Sequence, residues 1–135
     1  MKGQFVTLEH VFFFVIGVVM TIVIYYAFSG IADSIEKIGV HYQLLRVAEA
    51  LRWQLTSIYL AGNETGARIE VAAEIPVQVS GCVYGIKKGL VVFCEETGES
   101  VEAFVPFPLE IKNEIIYSSS GRINITYEEG RLWME

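Results

Sequence analysis

Between Glu9 and Asp33 the chain has no Asp, Glu, Lys or Arg. A helix rises ~1.5 Å per residue, so this gap is long enough to cross a hydrocarbon core of ~30 Å. Cysteine and histidine are scarce, with two of each. His10 sits at the edge of the apolar run and His41 far from either cysteine in sequence, so no metal-ligand cluster is expected. Basic residues are few: 10 Lys and Arg against 16 Asp and Glu, a net charge of −6. From Gly66 onward the count is 6 against 11, a net of −5, which argues against a nucleic-acid surface. A Gly-rich phosphate loop, a His close to a Ser or Cys, and a paired-carboxylate motif are all missing. Neither catalysis nor a cofactor is expected. At 135 residues, the chain has room for one small domain and an anchor, not for two full domains.

What the chain does have begins with that apolar run. Thr21 interrupts it mildly, and Tyr25-Tyr26 near its far end suit a membrane–water interface. A secretory signal would have a shorter core, a basic stretch before it and a small-x-small cleavage site after it. Here only a weak candidate lies between Ala27 and Ala32, so a retained anchor is expected. Lys2 lies before the run and Asp33 and Glu36 after it, which places the first residues in the cytoplasm and the rest outside. Two glycosylation sequons, Asn63-Glu64-Thr65 and Asn124-Ile125-Thr126, agree with an outside location.

Helical periodicity continues past the membrane. Ile31, Ile35, Ile38, Tyr42 and Leu45 recur at spacings of four and three. Leu44, Ala48, Leu51, Leu55 and Ile58 continue on a rotated face, with Glu36, Lys37, Arg46, Glu49 and Arg52 mostly between the stripes. The pattern predicts a helix to about Leu60, capped by Gly62 and followed by a loop over 61–67, with Gly30 and Gly39 as places to bend. For residues 40–60, packing on the chain's own C-terminal domain is the expected use of the stripe.

From Arg68 the period changes to two. "RIEVAAEI", "GCVYGI", "LVVFCEE", "SVEAFVPF", "IIYSS", "GRINITYE" and "RLWME" read as six or seven short strands of an antiparallel sheet or small sandwich over 68–135. The fold class is therefore α+β. Ile123, Ile125 and Tyr127 alternate with Asn124 and Thr126, which turns Asn124 away from the core. "CVYGIKKGLVVFC" reads as a hairpin with Lys87-Lys88-Gly89 at its tip. Pairing Ile86 with Leu90 sets Tyr84 opposite Val92 and Cys82 opposite Cys94, close enough for a disulfide. Ser118-Ser119-Ser120 reads as a polar turn, and Glu95, Glu96, Glu99 and Glu102 as surface carboxylates.

Lys2-Gly3-Gln4 followed by "FVTLEHVFFFVIG" resembles the start of archaeal type IV pilin-like proteins with class III signal peptides. In that family a basic residue and glycine precede a cut, glutamine often begins the mature chain, and a glutamate follows inside the apolar segment. The resemblance covers residues 2–28 at motif level. A long helix followed by a small β-domain ending in an "ITYEEGRLWM" hairpin is similar to the same group more loosely. The resemblance implies that a prepilin-type peptidase removes a leader, residues 1–3, and that residues 4–60 are kept as the assembly helix. With that cut Glu9 is the sixth mature residue, where the family usually has its glutamate fifth. It further implies that Glu9 meets the free amine of a neighbouring pilin-like subunit. The implied function is a major or minor structural subunit of an archaeal type IV filament or a related surface machine. The alternative is a singly anchored accessory or binding protein of the cell envelope, of the kind that serves the archaeal motility filament.

Overall fold

The computed structural model describes the backbone of residues 2–135 and the side chains of residues 8–135. A single helix, α1 (Lys2–Thr65), is followed by eight strands: β1 (Ile69–Glu74), β2 (Tyr84–Lys87), β3 (Val91–Cys94), β4 (Ser100–Glu102), β5 (Leu109–Ile111), β6 (Ile115–Tyr117), β7 (Arg122–Glu128) and β8 (Arg131–Met134). The chain divides into two compact units, Met1–Glu36 and Lys37–Glu135.

In the first unit the helix is apolar on every side. Its large apolar side chains from Leu8 to Ile35 are all exposed, and nothing in its most apolar stretch is buried. That length and composition suffice to cross a membrane. The expected bend at Gly30 does not interrupt the helix. Two hydroxyls bond back to the carbonyls four residues earlier, Thr21 to Gly17 (2.8 Å) and Ser34 to Gly30 (2.9 Å).

The second unit is built around the rest of α1. Val40, Leu44, Val47, Ala48, Leu51 and Leu55 are buried and share one core with residues of both sheets. The second of the two expected stripes is thus the core stripe. Of the first, Ile38 and Tyr42 are exposed. The helix also runs beyond the expected end near Leu60, through most of the expected loop 61–67, to Thr65. Gly66 caps it, not Gly62. Gly66 takes the left-handed conformation (φ 63°), and its N–H donates to the Gly62 carbonyl at 2.8 Å. Gly62 has a different task. A side chain there would strike the Tyr127 ring, so the glycine lets helix and sheet approach. Tyr59 completes this joint, stacked on Phe107 at 4.5 Å and edge-on to Tyr127 at 5.8 Å.

The strands form two four-stranded sheets, ordered β1-β7-β8-β5 and β4-β3-β2-β6. Leu109–Ile111 is a strand that the sequence did not announce. It pairs parallel to β8, the one parallel ladder among the named strands. β7 and β8 are joined by Glu129-Gly130, both at positive φ (50° and 79°), as a two-residue hairpin turn.

The β2–β3 register corrects the expected one. Tyr84 lies opposite Cys94 and Ile86 opposite Val92, so the pairing is displaced by two residues. The tip is Lys88-Gly89-Leu90, not Lys87-Lys88-Gly89. A two-residue shift keeps every side chain on the face it had, so alternation alone does not choose between the two registers. At the tip the Leu90 side chain is fully buried although its φ is 57°. Burying a leucine stabilises by ~1.5–3 kcal/mol, enough to offset the ~1–2 kcal/mol of a left-handed residue.

Candidate functional site

The Cys82–Cys94 disulfide forms, though not by direct opposition. Cys82 lies outside β2, in a tight turn where it bridges Val79 through two backbone hydrogen bonds of 2.9 Å. The disulfide reaches diagonally to the end of β3, with Cα atoms 6.2 Å apart. It ties the Val79–Cys82 turn to the sheet. Ser118 supports the same region: its Oγ donates to the Val77 carbonyl at 2.7 Å and accepts from the Tyr84 N–H at 3.1 Å. Ser118 is fully buried at the start of a 3-10 turn, a structural part that a reading of "SSS" as a plain polar turn overlooks. Tyr84 is also fully buried, its hydroxyl donating to the Pro76 carbonyl at 2.7 Å. Burial pushes the phenol up to about 12.

The carboxylates around the β3–β4 hairpin do not converge. Glu99 reaches His41 of α1 (3.4 Å), while Glu95 accepts from the Tyr117 hydroxyl (3.3 Å) and raises that phenol. Among the described residues no three His, Cys, Asp or Glu side chains stand together as a metal ion would require.

Two surfaces remain. The first is on α1 within the second unit. At about 100° per residue, Ile38, Tyr42, Trp53 and Leu60 fall within about 60° of one another, opposite the buried Val40, Leu44, Val47, Leu51 and Leu55. All four are exposed, Tyr42 at 62% and Trp53 at 68%. Four large apolar side chains therefore stand exposed along this face, with Glu49 and Thr56 between them. Trp53 also borders an open groove of about 410 Å³, lined further by Ile58, Val71 and Ala73 beside the unpaired edge of β1. The 4,3 spacing that began at Ile31 pointed to this face, while Trp53 and Leu60 were missed because charged residues separate them from Tyr42.

The second surface is the outward face of the β1-β7-β8-β5 sheet. Strand registers align Glu70, Thr126, Trp133 and Glu110 in one row. The next row holds Ala72, Asn124, Glu135 and Lys112, with Lys112 Nζ 2.6 Å from the Glu135 carboxylate. Trp133 is the only aromatic in these rows. Arg68 pairs with Glu70 at the margin, and that carboxylate raises the guanidinium still further.

The other residues singled out from the sequence fall as follows. Glu9 and His10 are exposed at the start of the apolar run. Asn63 is exposed on the last turn of α1, and Asn124 is exposed on β7. The side chains of Lys2, Gly3 and Gln4 lie outside the described residues. Comparison with protein-family models, curated proteins and solved structures finds no match to this chain.

Proposed function

We propose that this chain is a pilin-like structural subunit, major or minor, of an archaeal type IV filament or a related surface machine. One observation supports the reading: α1 carries large apolar side chains on two opposite sides. Val40 to Leu55 fill the core of the chain's own domain, while Ile38, Tyr42, Trp53 and Leu60 stay exposed on the other face. A lone anchor needs an apolar surface only within lipid. Large apolar side chains set on one face of α1 beside a folded domain, with Glu49 among them, suit a neighbouring helix. Helices packed side by side would cover them.

In this reading the apolar part of α1 is retained in the membrane until assembly, with the β-domain outside the cell. A prepilin-type peptidase cuts between Gly3 and Gln4. The new Gln4 amine of one subunit then meets Glu9 of the next. A carboxylate held in lipid costs about 2.5–3.5 kcal/mol at the membrane centre and less near the interface, so pairing favours the docked subunit over the free one. No small-molecule cofactor enters this function.

A cross-linking test addresses this face directly. Tyr42→Cys adds the one free thiol of a chain whose own two cysteines are bonded to each other, so a short bis-maleimide on intact cells should give a covalent dimer of this chain. A product that stays monomeric would count against subunit packing and favour the singly anchored envelope protein.

A further inference from the structure

We propose that the outward face of the β1-β7-β8-β5 sheet is the seat of an N-linked glycan carried by Asn124, its first sugar stacked on Trp133. The proposal rests on the β-domain lying outside the cell.

Three features of the face point to it. Asn124 and Thr126, the two residues of the sequon that must be addressed, both belong to its outward rows, Asn124 exposed and Thr126 buried beside Trp133. Trp133 stands directly across from Thr126, diagonal to Asn124, and such neighbours lie ~7–8 Å apart, about the reach of an asparagine side chain plus one sugar ring. Trp133, Asn124 and Thr126 line one open depression of about 410 Å³, together with Glu70, Lys112 and Glu135. An indole offers a flat apolar face, and the carboxylates and ammonium around it can bond sugar hydroxyls. Among the described residues, the hydrogen bonds of this face run through the backbone, Lys112–Glu135 and Arg68–Glu70. None ends on the Asn124 amide or the Thr126 hydroxyl. Trp133 itself is half-buried in a face of small and charged residues.

The attachment is a glycosyl transfer from a sugar held as a lipid-linked phosphate ester. Asn124 Nδ2 bonds to the anomeric carbon, and the carbon–oxygen bond to the phosphate breaks. The phosphate leaves with the electron pair and takes up the proton that the amide loses. In the folded domain β7 is paired on both sides, and Asn124 exchanges backbone hydrogen bonds of 2.9 and 3.0 Å with Glu135. Transfer therefore precedes closure of β8 onto β7. The sugar then settles on the indole as the hairpin forms.

The test uses full-length protein purified in detergent from the cells that make it. Peptide mass analysis should find Asn124 carrying a glycan. In a Trp53→Phe background Trp133 is the sole tryptophan, and acrylamide should quench its fluorescence poorly. Quenching should rise in Asn124→Gln, and equally when the glycan is removed enzymatically from the folded protein. An unmodified Asn124 overturns the proposal, as does quenching that is unchanged when the sugar is removed. Protease added to intact cells separates the two levels. A β-domain that is cleaved while Asn124 is bare leaves the surface reading standing and removes only the glycan. A β-domain that is protected removes both.

Discussion

Replacing Leu55 with alanine tests how α1 is used. Leu55 is fully buried in the core that the helix shares with both sheets. Truncation removes three carbons from a packed interior and leaves a cavity, because the strands cannot close in fully. Leu→Ala changes of this kind cost about 2–5 kcal/mol. For a domain the size of Lys37–Glu135, 1 kcal/mol lowers the melting temperature by about 4–8 °C, so a drop of roughly 10–25 °C is expected. Tyr42→Ala is the paired control. Its side chain is 62% exposed on the opposite face, and the domain should keep its stability within about 0.5 kcal/mol. Thermal unfolding of the full chain in detergent, followed by near-ultraviolet circular dichroism, reads both. If Leu55→Ala melts with the parent protein, or Tyr42→Ala melts as early as Leu55→Ala, the two faces have been assigned the wrong way round. The same Tyr42→Ala protein should then be missing from filaments sheared from the cell surface while its domain stays folded, which separates assembly from folding.

Three further perturbations follow from the same geometry. Gly62→Ala gains up to about 1 kcal/mol in helix propensity but drives a methyl into the buried Tyr127 ring, so chemical denaturation should show a net loss of roughly 1–2 kcal/mol; a stabilised variant would mean that helix and sheet are not in contact there. Cys82→Ser with Cys94→Ser opens a loop of sequence separation 12 and should cost about 3 kcal/mol by chain entropy, while peptide mapping of native protein without reductant should recover the linked pair; two alkylatable thiols would refute the bond. Tyr84 stays protonated in the fold up to about 12, whereas the unfolded chain loses that proton near pH 10. The unfolded state therefore binds fewer protons above pH 10, and stability should fall between about pH 10 and 12 by roughly 2 kcal/mol, a loss that Tyr84→Phe should largely remove.

Much of the fold was legible because it rests on periodicity. The change from 3.6 to 2 near Arg68 separated helix from strands, and Ile123, Ile125 and Tyr127 fixed which way β7 faces. What was illegible depended on tertiary contacts. Two apolar stripes on one helix look alike in sequence, and only the core shows that Leu44, Leu51 and Leu55 are inside while Ile38 and Tyr42 are not. A shift of the β2–β3 hairpin by two residues keeps each side chain on its face, so the alternation of Tyr84, Ile86 and Val92 could not choose the register. Three residues around Glu110, between two prolines and a polar turn, gave no strand signal because their partner, β8, was still to come in the chain. Of the candidate site, the cysteine pairing and the outward Asn124 were within reach of sequence. Trp133 was visible only as a strand residue. Its place beside Thr126 needed the register of two strands.

The central claim is that copies of this chain pack through α1 into a surface filament. The most direct measurement is mass spectrometry of filaments sheared from the cell surface and checked by electron microscopy. The account predicts that this chain is a constituent, with Gln4 as its first residue and its apolar helix retained. Its absence from every filament, with the chain recovered only from the membrane fraction and beginning at Met1, would contradict the account.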